Sequence, residues 1–388
     1  MTQQQPHFYG LFHHHATHIK RPIRRLNPTR RYIPYPTTGS GGYYKDGLQK
    51  TPRAYHVWRS RDNRKGRHAL VVGPEYAAES GHQGPQPTNN LRSTAEGIAK
   101  LFLRYPIWDI SYDVAAIFTI GSAIWVVNGF FAWLPLAAPS TAFHSESSWG
   151  AGITAIVGAT VFEVGSVFLM LEAINENRSD CFGWAVEETI DGLLHIEPAP
   201  SRKCTHHHPH RDRFIKATHA DKSRQWLWLP TWHELRTHYL RDIGFLACFS
   251  QLIGATIFWI SGITAIPPIL NGFSVPAENG LYWLPQVVGG TGFIVSSLLF
   301  MLEVQPRWYI PAPSVLGWHV GLWNFVGAIG FTLCGALGFG GTRASIEYAL
   351  TLSSFIGSWA FLIGSLIQLY ESLNKYPLWV VDNPSKYV

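Results

Sequence analysis

Six stretches of this chain are almost wholly apolar: residues 111–136, 149–173, 242–266, 281–304, 315–337 and 346–372. Each has the roughly 20 residues that a helix needs to cross a hydrocarbon core about 30 Å thick. Polar and basic residues crowd into the segments between and before them. The pattern predicts an all-α membrane protein with six transmembrane helices.

The second, fourth and sixth blocks repeat one phrase: "GATVFEVGSVFLMLE" (158–172), "GGTGFIVSSLLFMLE" (289–303) and "GSWAFLIGSLIQLYE" (357–371). Aligned on their last residues, they share a stripe at alternating steps of four and three, which lies along one helix face. In the first copy it is Gly158, Phe162, Gly165, Leu169 and Glu172; Phe293 and Glu303, then Phe361 and Glu371, follow in the others. The odd blocks match as well: Gly121, Trp125 and Gly129 align with Gly254, Phe258 and Gly262, then with Gly327, Phe331 and Gly335. The unit is therefore a helical hairpin used three times in the same sense, as three parallel tandem repeats. Small residues at these spacings let helices approach closely in lipid, which accounts for most of the stripe. The glutamates are different, because a carboxylate at a helix C-terminus opposes the macrodipole. Glu172, Glu303 and Glu371 are expected to form salt bridges or a ring at one mouth of the bundle.

Charge sets the orientation. The first 107 residues hold 17 of the 31 Lys and Arg, residues 174–241 hold ten more, and the connections after the odd blocks hold only Arg343. Positive residues mark the cytosolic side. Both termini and the long loop are expected there, in a plasma or internal membrane. The chain then divides into a basic tail (1–107), hairpin one (108–178), a His-rich loop (179–240), hairpin two (241–310), hairpin three (311–377) and a short tail (378–388).

Residues 1–100 are rich in Pro, Gly, Gln and Tyr without sustained hydrophobic period, which predicts a largely disordered tail. Its positive charge suits anionic inner-leaflet lipid as a partner. In the loop, Cys204, His206, His207, His208 and His210 could bind zinc or copper, but their spacing fits no zinc pattern and basic neighbours oppose a cation. A solvated His tract is the simpler reading, and no cofactor is expected.

Three stretches, "ELRTHYLRDIGFLACFSQLIGATIFWISG" (234–262), "GLYWLPQVVGGTGFIVSSLLFMLE" (280–303) and "GSWAFLIGSLIQLYESLNKYP" (357–377), carry a resemblance to a family of uncharacterised fungal integral membrane proteins. The hairpins look like the small two-helix unit called the YrhK-like domain. The resemblance covers most of residues 100–377 and implies a fold and a source, without an activity.

The remaining candidates are polar residues inside the apolar blocks. Glu163 lies near the middle of the second block, while Gln251 and Asn324 match each other and align with Phe118. Asn128, Ser261 and Cys334 form another matched set, and Asp113 and His319 are equivalent. A carboxylate in hydrocarbon is costly unless paired, protonated or wet. Glu163 is therefore expected to face Asn128, Gln251, Asn324 or His319. No nucleophile elbow or nucleotide loop is present, and no nucleic-acid partner is expected. The leading expectation is a transporter or channel for a small solute or ion, between the hairpins. The alternative is a scaffold that binds lipid or cytosolic partners; a solid core would favour it. The orientation has a direct check. Asn177-Arg178-Ser179 is a formal glycosylation sequon on the expected cytosolic side. Glycosidase-shift analysis should find no glycan there, and a glycan would invert the topology.

Overall fold

The computed structural model of the chain describes residues 17–34, 54–74, 88–176, 178–193 and 226–382. Six helices are long and apolar enough to cross a membrane. They are α3 (Ile110–Ala137), α4 (Ala151–Ile174), α5 (Ile243–Thr264), α6 (Leu284–Val304), α7 (Leu316–Gly338) and α8 (Ala344–Leu373). A π-helical turn leads into α4 (Glu146–Gly150) and another into α6 (Asn279–Trp283). Such a chain fits a polytopic membrane protein.

The starts of the helices follow from local chemistry. The first amides of a helix have no intrahelical acceptor, and an Asp before the first turn supplies one. Asp109 accepts from the Ser111 amide and Asp242 from that of Phe245. Val315, which opens α7, makes no such cap.

Each helix packs against the next, and α8 returns to α3, so the six close a ring. Close approach is built in where α5 meets α6: a Cβ on Gly254 would lie 2.9 Å from the Gly289 carbonyl oxygen and 3.2 Å from the Gly292 Cα. The serines beside the repeated stripe turn their hydroxyls back onto their own helices. Ser166 donates to Phe162 O, Ser297 to Phe293 O and Ser365 to Leu362 O. They are packing residues.

The N-terminal region departs from the expected disordered tail. Among its described residues are strands β1 (Thr17–Lys20), β2 (Arg30–Pro34), β3 (Ala54–Arg59) and β4 (Ala69–Val72), with helix α1 (Ser60–Arg64) between β3 and β4 and helix α2 (Leu91–Leu103) after them. β1 to β4 pair antiparallel in chain order. β5 (Leu378–Val380) then joins β4 in parallel, Leu70 opposite Leu378 and Val72 opposite Val380. The segment expected to be a separate C-terminal tail thus completes a sheet that begins at Thr17. Its apolar face gathers Tyr32, Tyr55, Val57, Ala69 and Val71, with Trp379 and Val381 against them.

His56, on β3, is buried and its ring lies 5.6 Å from that of His68. Burial pulls its pKa down to about 4, against the opposing pull of Asp62. The fold therefore favours the neutral ring. Between about pH 4 and the unfolded value near 6.5 the unfolded chain binds the extra proton, so this stability is present above 6.5 and lost on acidification. Hydrogen exchange, corrected for intrinsic rates, should show protection of residues 54–72 falling from pH 7 to 5. His56→Gln should flatten that fall; an unchanged slope would locate the titration elsewhere.

Candidate functional site: an ionic socket and the axis above it

Glu172, Glu303 and Glu371 are almost completely buried at one end of the ring. All three meet side chains of the turn that joins β3 to β4, "SRDNRKGR" (60–67). Arg61, Arg64 and Lys65 are spaced i, i+3 and i+4, so α1 projects them from one face. Arg61 Nη2 lies 2.7 Å from Glu371 Oε2, with Nε 3.2 Å from both carboxylate oxygens. Arg64 makes a two-pronged pair with Glu303, Nη1 to Oε1 at 2.8 Å and Nη2 to Oε2 at 2.9 Å. Lys65 Nζ reaches Glu172 Oε1 at 3.2 Å. Each of the three cations faces its own carboxylate, and Arg67 Nη1 adds a longer contact to Glu371 Oε1 at 3.7 Å.

The rest of the turn is bonded too. Ser60 donates to Glu303, Asn63 to Glu176 and Arg67 to Asp62. Arg67 Nε also reaches Asn374 O at 2.9 Å. Both guanidiniums, of Arg61 and Arg64, lie over the Phe300 ring, at 5.7 and 5.6 Å. Their space exists because α7 and α5 begin with glycines. A Cβ on Gly317 would meet Arg61 Cδ at 2.5 Å, and one on Gly244 would strike the Arg64 guanidinium. Lys375 fastens the tail to the same place, with Nζ 2.6 Å from Asp109 Oδ2 and 2.6 Å from Lys65 O.

The pairs are not equal. Burial opposes the charge of Arg61 and Arg64, but the facing carboxylates, Glu371 and Glu303, outweigh it and both pKa values rise. For Lys65 burial wins over Glu172 and the pKa falls. Glu172 Oε2, moreover, has no hydrogen-bond partner. The Lys65–Glu172 corner is the weak one.

Above the socket, matched positions of the three hairpins converge in layers. Phe118, Gln251 and Asn324 line a cavity of about 30 Å³ with Gln368 and the three cations. Next come two tiers of interlocked rings. Phe361 packs edge-on against Phe162 at 5.7 Å and Phe293 at 6.3 Å. Trp125, Phe258 and Phe331 form the second tier, with centroid distances of 4.9, 5.6 and 5.7 Å. Edge-to-face contacts at these distances are favourable beyond simple burial. Beyond them a vestibule of about 170 Å³ opens at the other end, lined by Asn128, Ser261, Cys334, Gln286 and Ser354.

The polar candidates are thus dispersed. Gln251 and Asn324 share the small cavity, whereas Asn128 lies at the vestibule and donates to Ala151 O and Thr154 Oγ1. His319 Nε2 lies 2.7 Å from Pro313 O, at the start of α7, and Asp113 is in the first turn of α3. Glu163 corrects an expectation: its partner is none of Asn128, Gln251, Asn324 or His319. Glu163 Oε1 accepts from Thr256 Oγ1 on α5 at 3.0 Å, joining two neighbouring helices away from the axis. The side chain turns toward α5 and so meets the Thr256 hydroxyl with one oxygen, while Oε2 has no hydrogen-bond partner. Cys204, His206, His207, His208 and His210 lie outside the described residues. Among the described residues no cluster of His, Cys, Asp or Glu could hold a metal ion. Comparison with protein-family models, with curated proteins and with solved structures finds no match to this chain.

Arg61, Arg64 and Lys65 are what sequence reading missed. Their spacing, and a count of cations equal to the count of repeated glutamates, could have revealed them. Removing one partner of a buried pair strands the other's charge, at a cost of about 3–5 kcal/mol. Glu303→Gln should therefore lower the unfolding midpoint in detergent sharply, and Arg64→Met combined with Glu303→Met should restore most of it. Glu172→Gln should cost less, because Lys65 can shed its proton and an arginine cannot. Equal losses for Glu172→Gln and Glu303→Gln would contradict the ranking.

Proposed function

We propose that this protein is a membrane-embedded scaffold: three helical hairpins in parallel close a solid ring, and the ring holds a folded sheet at the cytosolic surface. The observation that carries this reading is the double aromatic tier, which fills the axis with Trp125, Phe258 and Phe331 on one level and Phe162, Phe293 and Phe361 on the next. A permeation path would have to part six packed rings and then the ionic socket. Glu163, the acid expected to face the polar residues between the hairpins, is instead bonded to Thr256 on a neighbouring helix. The convergence of matched residues in successive layers supports the threefold repeat. The concentration of Lys and Arg at the socket end supports a cytosolic assignment for it.

A gated pathway for a small solute or ion is the second reading. It is favoured by polar chambers on both sides of the aromatic tiers. Flux separates the two. Reconstituted wild-type protein should pass protons, potassium and a broad panel of neutral and charged solutes no faster than protein-free liposomes do. Saturable flux of any one of them would overturn the scaffold in favour of the gated path.

A further inference from the structure

Where α2 crosses α8, a cleft of about 500 Å³ opens beside the socket. α2 is capped by Asn90, whose side chain accepts from the Ser93 amide at 2.8 Å. It packs through Gly97, whose missing side chain leaves room for the Tyr370 ring. Tyr370 precedes Glu371, so α2 lies at the depth where the apolar span ends. Lys100 Nζ reaches Asn374 Oδ1 at 3.3 Å and ties the helix there.

The other side of α2 is apolar and open: Leu91, Phe102 and Leu103 are 90%, 72% and 80% exposed. That face continues the exposed apolar flank of α8, formed by Ile356, Ile363 and Leu366. A helix with such a face, lying at the edge of an apolar belt, is built to rest in the headgroup region of a bilayer.

The cleft itself is cationic. Arg59, Arg67, Lys100, Arg104 and Lys375 line it, against Glu96, Asp109 and Asp180. Lys375 is committed to Asp109, and Glu96 to Arg92, which lies outside the cleft. Arg59 and Arg67 share the carboxylate of Asp62, at 3.3 and 3.2 Å, and Arg67 has a longer contact of 3.7 Å with Glu371, which Arg61 already holds. Arg59 Nε is buried without a hydrogen-bond partner. Burial, with Arg30 and Arg67 nearby, lowers the Arg59 pKa despite Asp62, the mark of cations short of an anion. Among the described residues, Arg104 has no ion-pair partner.

We infer that this cleft is a binding site for an anionic phospholipid, its phosphate held among Arg59, Arg67, Lys100 and Arg104 and its acyl chains lying along Phe102, Leu103 and the flank of α8. Arginine and lysine donors around a phosphate oxygen supply charge-assisted bonds, and the missing negative charge is what the cleft lacks. The inference requires the membrane but neither reading of the axis.

The test uses the full chain in neutral detergent, with thermal unfolding as readout and phosphatidic acid as the probe. Phosphatidic acid should raise the midpoint, while phosphatidylcholine and inorganic phosphate at equal concentration should not. Lys100→Gln combined with Arg104→Gln changes only exposed or half-buried side chains, and should demand about tenfold more phosphatidic acid for the same shift. Arg236→Gln, exposed on the short helix Trp232–Thr237 and outside the cleft, should respond as the wild type does. A double variant that responds like the wild type would overturn the site, as would an equal loss from Arg236→Gln. An equal shift from inorganic phosphate would overturn the lipid as its occupant.

Discussion

Three carboxylates end three apolar helices at one mouth of the ring, each out of reach of water. Left alone they would repel one another and oppose the helix dipoles behind them. The remainder of the structure depends on their neutralisation by Arg61, Arg64 and Lys65. Those cations come from a turn between two strands, so neutralising the ring also docks the sheet. The ring's carboxylates are then neutralised by the N-terminal region, and the ring, together with β5, seats that region in turn.

Buried ion pairs are poor sources of net stability, because desolvating the charges costs about as much as their attraction returns. Their value here is positional. A two-pronged arginine–carboxylate pair tolerates little rotation, and two such pairs over the Phe300 ring hold α1 in one register. Lys65, a point charge on a longer tether, completes the neutralisation without imposing geometry of its own. Both arginines are therefore stricter than Lys65, in line with three contacts for Arg61 and two for Arg64 against one for Lys65.

The parts legible in the sequence were those whose cause is local. Apolar runs long enough for a bilayer mark the six helices to within a few residues at most ends, the chief difference being that the second and fourth helices begin earlier through their π-helical turns. The Asp109 and Asp242 caps are likewise visible as a residue type before an apolar run. The sheet was illegible because its causes are distant. Arg61, Arg64 and Lys65 read as a solvated charge run until carboxylates 107 to 310 positions away are brought to them. β5 likewise owes its place to β4 across the whole chain. Tyr32, Tyr55 and Val57 are too few to announce a core, and the sheet needs the bundle to cover it. The candidate site was half legible: the three glutamates were singled out, whereas their partners and the Thr256 bonded to Glu163 were not.

Read as the three hairpin copies we propose, the ring would present three similar sockets, yet one short helix must fill them all. No helix can offer three equivalent side chains around its axis at one level; the i, i+3, i+4 face offers three at different heights and angles. On that reading the repeat would have to be broken where it is plugged, and the aligned phrases do differ there. Leu169, Phe300 and Gln368 hold the same place in the three copies, and only Phe300 provides a ring on which both guanidiniums can rest. Gly244 and Gly317 clear room for the arginines at the starts of two odd helices, while the corresponding start of the first carries Ser111. The smaller demand of Lys65 falls on that remaining hairpin, at Glu172. On the proposed reading, divergence among the copies would be concentrated where the ring meets its asymmetric plug, whereas the aligned aromatic positions farther along the axis stay alike.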